Sequence, residues 1–225
     1  MMIHPAIRLA VPAGLFVVFA TAPSPRPAGA GDGPDPVMGA AGAPVPDVPL
    51  AELYHELAAP SAQATVVEFS DFGCPYCGQF ERNTFPALRK EFVETGKVRW
   101  RFVPFVLGMF PNGSEAMRAS TCVAEQGEDA FWKMHDALFA RQDEWKGSRD
   151  PEGLFRSYAE ASGADGAAFA ACYDDARSAD RVTAANALAE KTGVRSTPTF
   201  FINGKMVQGA LPLEQFRQIL QDVTR

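Results

Sequence analysis

The chain has 225 residues, 47% of them hydrophobic and 21% charged, which suits one globular domain with appendages and excludes a wholly disordered chain. Its formal charge of −6 and pI near 5.1 argue against a general nucleic-acid binder, so no nucleic-acid partner is expected. Four Cys residues are too few for a disulfide-dense mini-protein, and no apolar run reaches the roughly 18 residues of a clear membrane span.

At the start, Arg8 precedes a mostly apolar stretch over 9–22, the length of a signal-peptide h-region. Ala20-Thr21-Ala22 and Ala28-Gly29-Ala30 both fit a small-residue cleavage pattern. Residues 1–30 therefore read as a signal peptide or an uncleaved N-terminal anchor, and either places the remainder outside the cytoplasm. Residues 31–49 are rich in Pro, Gly and Ala and poor in bulky apolar side chains. Such a stretch buries too little to offset its ordering entropy, so it reads as a semi-extended linker. The folded domain is expected to occupy 50–225.

Thr65-Val66-Val67-Glu68-Phe69-Ser70 is β-rich and apolar on both faces except at Glu68, as a buried central strand would be. Asp71-Phe72-Gly73 breaks it. A helix is predicted from Pro75, well placed in a first turn, to Gly96, with a kink at Pro86. Residues 97–105 alternate, with Lys97, Arg99 and Arg101 on a solvated side and Val98, Trp100 and Phe102 facing inward. Helices are predicted at 114–125, 128–141, 151–162, 165–174 and 177–192. His135, on the second of these, is expected to be a surface or helix–helix polar contact. Thr199 to Ile202, then Asn203-Gly204, then Lys205 to Gln208 form a hairpin signature with a type I′ turn. Apolar residues at 213, 216, 219, 220 and 223 predict a closing amphipathic helix. The order is βαβ, a helical block over about 109–192, then ββα: an α/β fold with a small mixed sheet and an inserted all-helical subdomain.

The chemistry sits in Cys74-Pro75-Tyr76-Cys77. Two Cys at this spacing, at the mouth of a helix after a buried strand, form a redox dithiol motif. The first thiol faces free backbone N–H groups and the positive end of the helix dipole, which stabilise its thiolate. Cys77 lies one turn further in, placed to resolve a mixed disulfide on Cys74. A structural zinc site is the alternative, but two Cys are half a tetrahedral set, and neither His55 nor His135 has a helpful spacing.

With these residues on the page, the chain resembles the DsbA-like thiol–disulfide oxidoreductases of the thioredoxin superfamily. The resemblance is carried by VVEFSDFGCPYCGQFE, by Ser196-Thr197-Pro198-Thr199-Phe200-Phe201-Ile202-Asn203-Gly204 and by the helices between, over roughly 64–225. It implies a thioredoxin fold and a cis bond between Thr197 and Pro198, in a loop that faces the dithiol and pairs with an extended substrate peptide. It also implies a buried acid behind the second Cys. Glu68 is the candidate: desolvation would raise its pKa and let it relay the Cys77 proton near neutral pH. An edge-exposed Glu68, or one paired with Arg99 or Arg101, is the other reading. Cys122 and Cys172, without a CxxC partner, are expected to form a structural disulfide in an exported protein; separate buried thiols or a relay between the two pairs are the alternatives.

The function expected is disulfide donation to unfolded or reduced exported proteins, by a monomer that a membrane redox partner reoxidises. No organic cofactor or metal is implied. A reductase or isomerase is the alternative, and a redox-inert peptide-binding chaperone is the alternative of another class. The Pro-Tyr dipeptide lacks a His that could stabilise a thiolate, so the expected potential lies between DsbA's roughly −120 mV and the roughly −200 to −230 mV of glutaredoxins. Phe72, Tyr76, Met109, Phe110 and Met206 are candidates for an apolar docking face, but such residues are more often core, and only Tyr76, inside the motif, is expected to be exposed.

Overall fold

The computed structural model describes residues 53–225 apart from Pro60 and Ala176. The address segment, its two cleavage patterns and the 31–49 linker lie outside the described residues.

The first strand, β1 (His55–Leu57), is short and was not visible in the pattern. The buried apolar run forms β2 (Ala64–Ser70) and the alternating run forms β3 (Val98–Pro104). The hairpin residues form β4 (Thr199–Ile202) and β5 (Lys205–Gln208). The sheet order is β1-β3-β2-β4-β5, with β2 central and parallel to β3 and the other pairs antiparallel. Asn203 and Gly204 take φ of 47° and 83°, the two positive angles a type I′ turn requires. Asn203 Oδ1 accepts from the Thr65 N–H at 2.9 Å, which pins the hairpin to β2.

Two expectations about this region are corrected. Arg99 and Arg101 are not a free solvated face: both reach Glu56 of β1, at 3.6 and 2.7 Å, and Arg101 lies over the Tyr54 ring. Lys97 alone of the three is exposed. The helix from Pro75 also breaks before Pro86 instead of kinking at it. It divides into α1 (Pro75–Asn83), α2 (Phe85–Leu88) and a π-helical turn at Arg89–Val93. Pro86 has no N–H, and its ring would meet the carbonyl of Arg82 in a continuous helix. The chain therefore stops at Asn83, and Pro86 falls in the first turn of the next helix, where it is tolerated.

The helical block comprises α3 (Gly113–Ala124), α4 (Glu128–Ala140), α5 (Gln142–Lys146), α6 (Pro151–Ala161), α7 (Gly166–Tyr173) and α8 (Arg177–Lys191). Helix α9 (Leu213–Val223) closes the fold and buries Phe216 and Leu220. Only the short α5 was not expected. Helix α3 packs against α4, α6, α7 and α8, and Cys122 on α3 is joined to Cys172 on α7. The bridge spans 50 residues of sequence. By the chain-entropy argument a loop of that length contributes about 4 kcal/mol. Cys122→Ala/Cys172→Ala should therefore lower unfolding stability by about that amount, read from urea midpoints. A drop below about 1 kcal/mol would show that the unfolded chain gains little from the cut.

The strand alternation of β2 decides where the chemistry lies. Val67 and Phe69 face one side, with Leu188, Ala189 and Phe201. Val66, and with it Glu68 and Ser70, faces the larger aromatic core on the other side, where Phe80 and Phe216 pack against Trp100 and Phe200. A carboxyl is thus directed into the aromatic interior, on the face covered by α1.

Candidate active site

The loop between β2 and α1 is held by side chains from distant elements. Asp71 Oδ1 accepts from Gly73 N–H and Oδ2 from Leu107 N–H, each at 2.8 Å. Gln142 Nε2 donates to the carbonyls of Phe72 and Cys74, at 2.6 and 2.8 Å, and Lys146 Nζ to that of Gly73 at 2.7 Å. The unexpected α5 therefore has a purpose in the fold: it satisfies three carbonyls of the loop that presents the cysteines. Gly73 is required there, since a Cβ would lie 2.5 Å from Phe110 Cβ.

Cys74 caps α1 with extended backbone (φ −73°, ψ 124°), and Pro75 follows in the first turn. Across from it the Thr197–Pro198 peptide bond is cis, and the Cys74 thiol donates to the Thr197 carbonyl at 3.4 Å. The Thr197 hydroxyl is buried and has no hydrogen-bond partner. Pro75 and Tyr76 are exposed, Tyr76 at 65%, whereas Cys77 is fully buried.

The two thiols are pushed apart. Cys74 is lowered from 9.0 to about 6, chiefly by the hydrogen bond from Cys77; burial opposes this, and Thr197 and the N–H groups of Cys77 and Tyr76 assist. Burial lifts Cys77 well above the ordinary thiol range, and the Cys74 charge adds to it. One sulfur is thus a thiolate near neutral pH while its partner keeps its proton. Both are free thiols in this structure.

Glu68 lies behind this pair. It is fully buried and accepts from Trp100 Nε1 at 2.9 Å; it pairs with neither Arg99 nor Arg101 and is not at an edge. Burial raises it from 4.5 to about 7, against its neighbours Glu81, Trp100 and Ser70, which lower it. The Ser70 hydroxyl lies near both the Cys77 sulfur and the acid and has no hydrogen-bond partner of its own.

A family model described as Thioredoxin matches residues 55–222. The chain belongs to the thioredoxin family. Among curated relatives, this thioredoxin-family chain is 28% identical over 162 residues to Disulfide bond formation protein D of Bacillus subtilis, covering 71% of this chain and 72% of that one. It is also 41% identical over 155 residues to a Na(+)/H(+) antiporter of Salinispora tropica, covering 68% of this chain but 22% of the antiporter. The chain thus spans about a fifth of the length of the first such antiporters it matches. Among solved structures, oxidised BdbD from Bacillus subtilis superposes with a TM-score of 0.70 at 26% identity, over 78% of this chain and 94% of that one. DsbA of Chlamydia trachomatis shares the fold, with a TM-score of 0.66 at 17% identity, over 75% of this chain and 90% of that one. The mixed five-stranded sheet with its helical insert is the thioredoxin fold in its DsbA form.

Within this thioredoxin-family fold, Cys74, Pro75, Tyr76, Cys77, Thr197 and Pro198 converge, with Glu68 one layer beneath. Cys122 and Cys172 lie apart, between α3 and α7. The apolar docking face does not assemble from its five candidates. Phe72 is core, in contact with Phe102 and Phe139; Phe110 is half-buried beside Gly73; Met206 packs on the opposite side of the sheet with the Val67 cluster. Only Tyr76 and Met109 are exposed.

Of the two readings of His135, the helix–helix contact is the one found. It is wholly buried, ringed by Phe72, Phe85, Phe102, Phe131, Trp132 and Phe139. Its Nε2 lies 3.9 Å from Glu81, which makes it a helix–helix contact between α4 and α1. Glu81 was not singled out in the sequence. The signal was there: on α1, Cys77, Phe80 and Glu81 stand at i, i+3 and i+4, one buried face.

Proposed function

We propose that the chain is an extracytoplasmic thiol–disulfide oxidoreductase that donates the Cys74–Cys77 disulfide to reduced exported proteins. A substrate thiolate attacks Cys74, forming a mixed disulfide and releasing Cys77. A second substrate thiol completes the transfer and leaves the dithiol, which a membrane redox partner reoxidises. Thr197 and Pro198 present backbone for an extended substrate strand. Glu68 exchanges the Cys77 proton through Ser70.

The observation that carries this reading is the split between the two thiols. A Cys74 thiol lowered from 9.0 to about 6 is mostly thiolate at pH 7. That stabilises the reduced form over the disulfide by up to roughly tenfold, or about 30 mV, less where solvent screens the sulfur. A stabilised dithiol makes its disulfide a better oxidant. The Bacillus subtilis relative, Disulfide bond formation protein D, is named for the same direction.

The test is the reduction potential of Cys74/Cys77 in a glutathione buffer, with Cys122 and Cys172 followed separately by mass. A value above about −180 mV, that of protein disulfide isomerase, is expected. A value near thioredoxin's roughly −270 mV would make the protein a reductase instead.

A further inference from the structure

Gln142 opens α5 and is 3% exposed; a buried amide is costly unless its polar atoms are bonded. Its Nε2 donates to two carbonyls of the dithiol loop, Phe72 at 2.6 Å and Cys74 at 2.8 Å, so both of its N–H bonds are used. Its Oε1 lies over Gly78 of α1, where a Cβ would come within 2.6 Å of it. Glycine inside a helix weakens the helix, and here the missing side chain leaves room for the amide. The amide of α5 and the glycine of α1 form one fitted contact beside Cys74.

The Cys74 carbonyl is the one whose position bears on the sulfur. Rotation about the Cα–C bond of Cys74, its ψ, moves this carbonyl and turns α1 relative to the Cys74 sulfur. At ψ 124° the sulfur faces the N–H groups of Tyr76 and Cys77 in the open first turn of α1. Two donors hold the carbonyl at that angle: the Gly78 N–H at 3.1 Å and Gln142 Nε2. The first is part of α1 itself, whereas the second ties the turn to the helical block. A disulfide between Cys74 and Cys77 holds the same turn covalently. In the dithiol, hydrogen bonds alone keep the sulfur against those N–H groups, so the loss of Gln142 costs the dithiol more than the disulfide. The titratable and charged groups about Cys74 are Cys77 and Tyr76 on α1, Asp71 just after β2 and Lys146 on α5, all of which a change at residue 142 leaves in the chain.

We propose that Gln142 is a positioning residue for the dithiol: by holding the Cys74 carbonyl it keeps the Cys74 sulfur against the open first turn of α1, and so favours the dithiol over the disulfide. This role rests on Cys74 and Cys77 being the exchanging pair. In exchange with glutathione, two glutathione thiols supply two electrons and two protons, the Cys74–Cys77 bond breaks, and one glutathione disulfide forms beside the protein dithiol. Gln142 takes no part in these bond changes and sets how far they run. Favouring the dithiol makes the Cys74–Cys77 disulfide the stronger oxidant. That strength is drawn from a side chain 68 residues along the chain, in the helical block and outside the sheet that carries the cysteines.

The experiment measures the equilibrium with glutathione for wild type, Gln142→Met and Gly78→Ala, and the urea stability of each in its oxidised and reduced forms. Met has the length of Gln without a donor, while Ala at position 78 keeps Gln142 but drives its amide off the carbonyls. The unfolded chain carries the same Cys74-Pro75-Tyr76-Cys77 pair throughout, so any shift in the equilibrium must equal the extra stability lost by the reduced form over the oxidised one. In Gln142→Met the equilibrium should move about tenfold toward the disulfide, a potential about 30 mV more negative. Gly78→Ala should move it the same way by about threefold. The Cys74 titration, at about 6 in wild type, should move upward in both, read from the ultraviolet absorbance of the thiolate. Equal losses of stability in the two forms, with an unchanged equilibrium, would leave Gln142 a structural contact and overturn the role. A wild-type equilibrium in Gln142→Met beside a shifted Gly78→Ala would also overturn it, by placing the effect on α1 itself. Should Gln142→Met not fold, an unchanged Gly78→Ala would overturn the role and a shifted one would support it. A wild-type potential in thioredoxin's range would sink the parent reading of a disulfide donor, while the shifts between variants would still judge Gln142.

Discussion

Cys74→Ser is expected to reduce disulfide transfer to the uncatalysed background, whereas Cys77→Ser should accumulate a stable mixed disulfide on Cys74, seen as a glutathione adduct by mass. The asymmetry follows from the two sulfurs. Cys74 is lowered to about 6 and lies at the helix mouth against the Thr197 carbonyl, while Cys77 is buried and holds its proton. The magnitudes also indicate direction. Lowering a thiol from 9.0 to about 6 raises its thiolate fraction at pH 7 roughly ninetyfold. Its intrinsic nucleophilicity falls at the same time by roughly twentyfold, at a Brønsted coefficient near 0.45. As an attacking group Cys74 therefore gains only about fivefold. As a leaving group it has no such offset, because a less basic sulfur leaves faster. That balance supports the proposed direction, in which the site surrenders its disulfide. Efficient transfer by Cys74→Ser, or a Cys77→Ser protein that turns over without an adduct, would reverse the assignment.

The second large effect is on stability and pH. In the oxidised protein neither active-site Cys titrates, so the buried acids can be observed alone. Glu68 is raised from 4.5 to about 7 and Glu81 is raised well above its ordinary value, both by burial. An acid raised on folding favours the folded state at low pH, and that contribution is lost as pH rises through the folded value. Each carboxyl that stays protonated when folded but ionises when unfolded lowers stability by about 1.4 kcal/mol per pH unit. For Glu68 the window runs from 4.5 to about 7, which amounts to about 3 kcal/mol. His135 acts in the opposite sense: burial lowers it from 6.5, so it weakens the fold only on the acid side. Urea unfolding of the oxidised protein should thus show stability falling between about pH 5 and pH 8. Glu81→Gln should flatten the fall and raise stability at pH 8 by about 1–3 kcal/mol. A flat wild-type profile would mean that water reaches the carboxyls and that they titrate as ordinary acids. The reduced protein should fall less steeply, because the Cys74 thiolate adds stability as pH rises from about 6.

How far the site could be read in advance depended on how local each feature is. The dithiol, its place at a helix mouth and the Asn203-Gly204 turn are set by neighbours in sequence. Backbone sterics and the pattern of apolar residues were enough to find them. Glu68 was also legible, because a lone acid in an apolar run is costly wherever the strand lies. The misreading of Arg99 and Arg101, and the alternatives left open at Phe72 and His135, have a common cause. Whether such a residue meets solvent depends on an element far along the chain: α4 covers Phe72, and β1 covers the two arginines. The break before Pro86 could have been placed from its missing N–H alone, and the error there was one of local chemistry.

By itself, the sequence determined the order of the elements other than β1 and α5, the CxxC pair, the buried acid and the hairpin that follows Pro198, since each is written in residue type and short-range periodicity. Only the tertiary structure decided that Gln142 and Lys146 hold the dithiol loop, that Thr197 meets Cys74, and that Glu81 and His135 stand behind Glu68. Those groups come from helices and strands whose packing is directed by apolar burial, which is non-directional. Which polar side chains such packing brings together inside the core is therefore a property of the folded sheet and its covering helices, not of any segment alone.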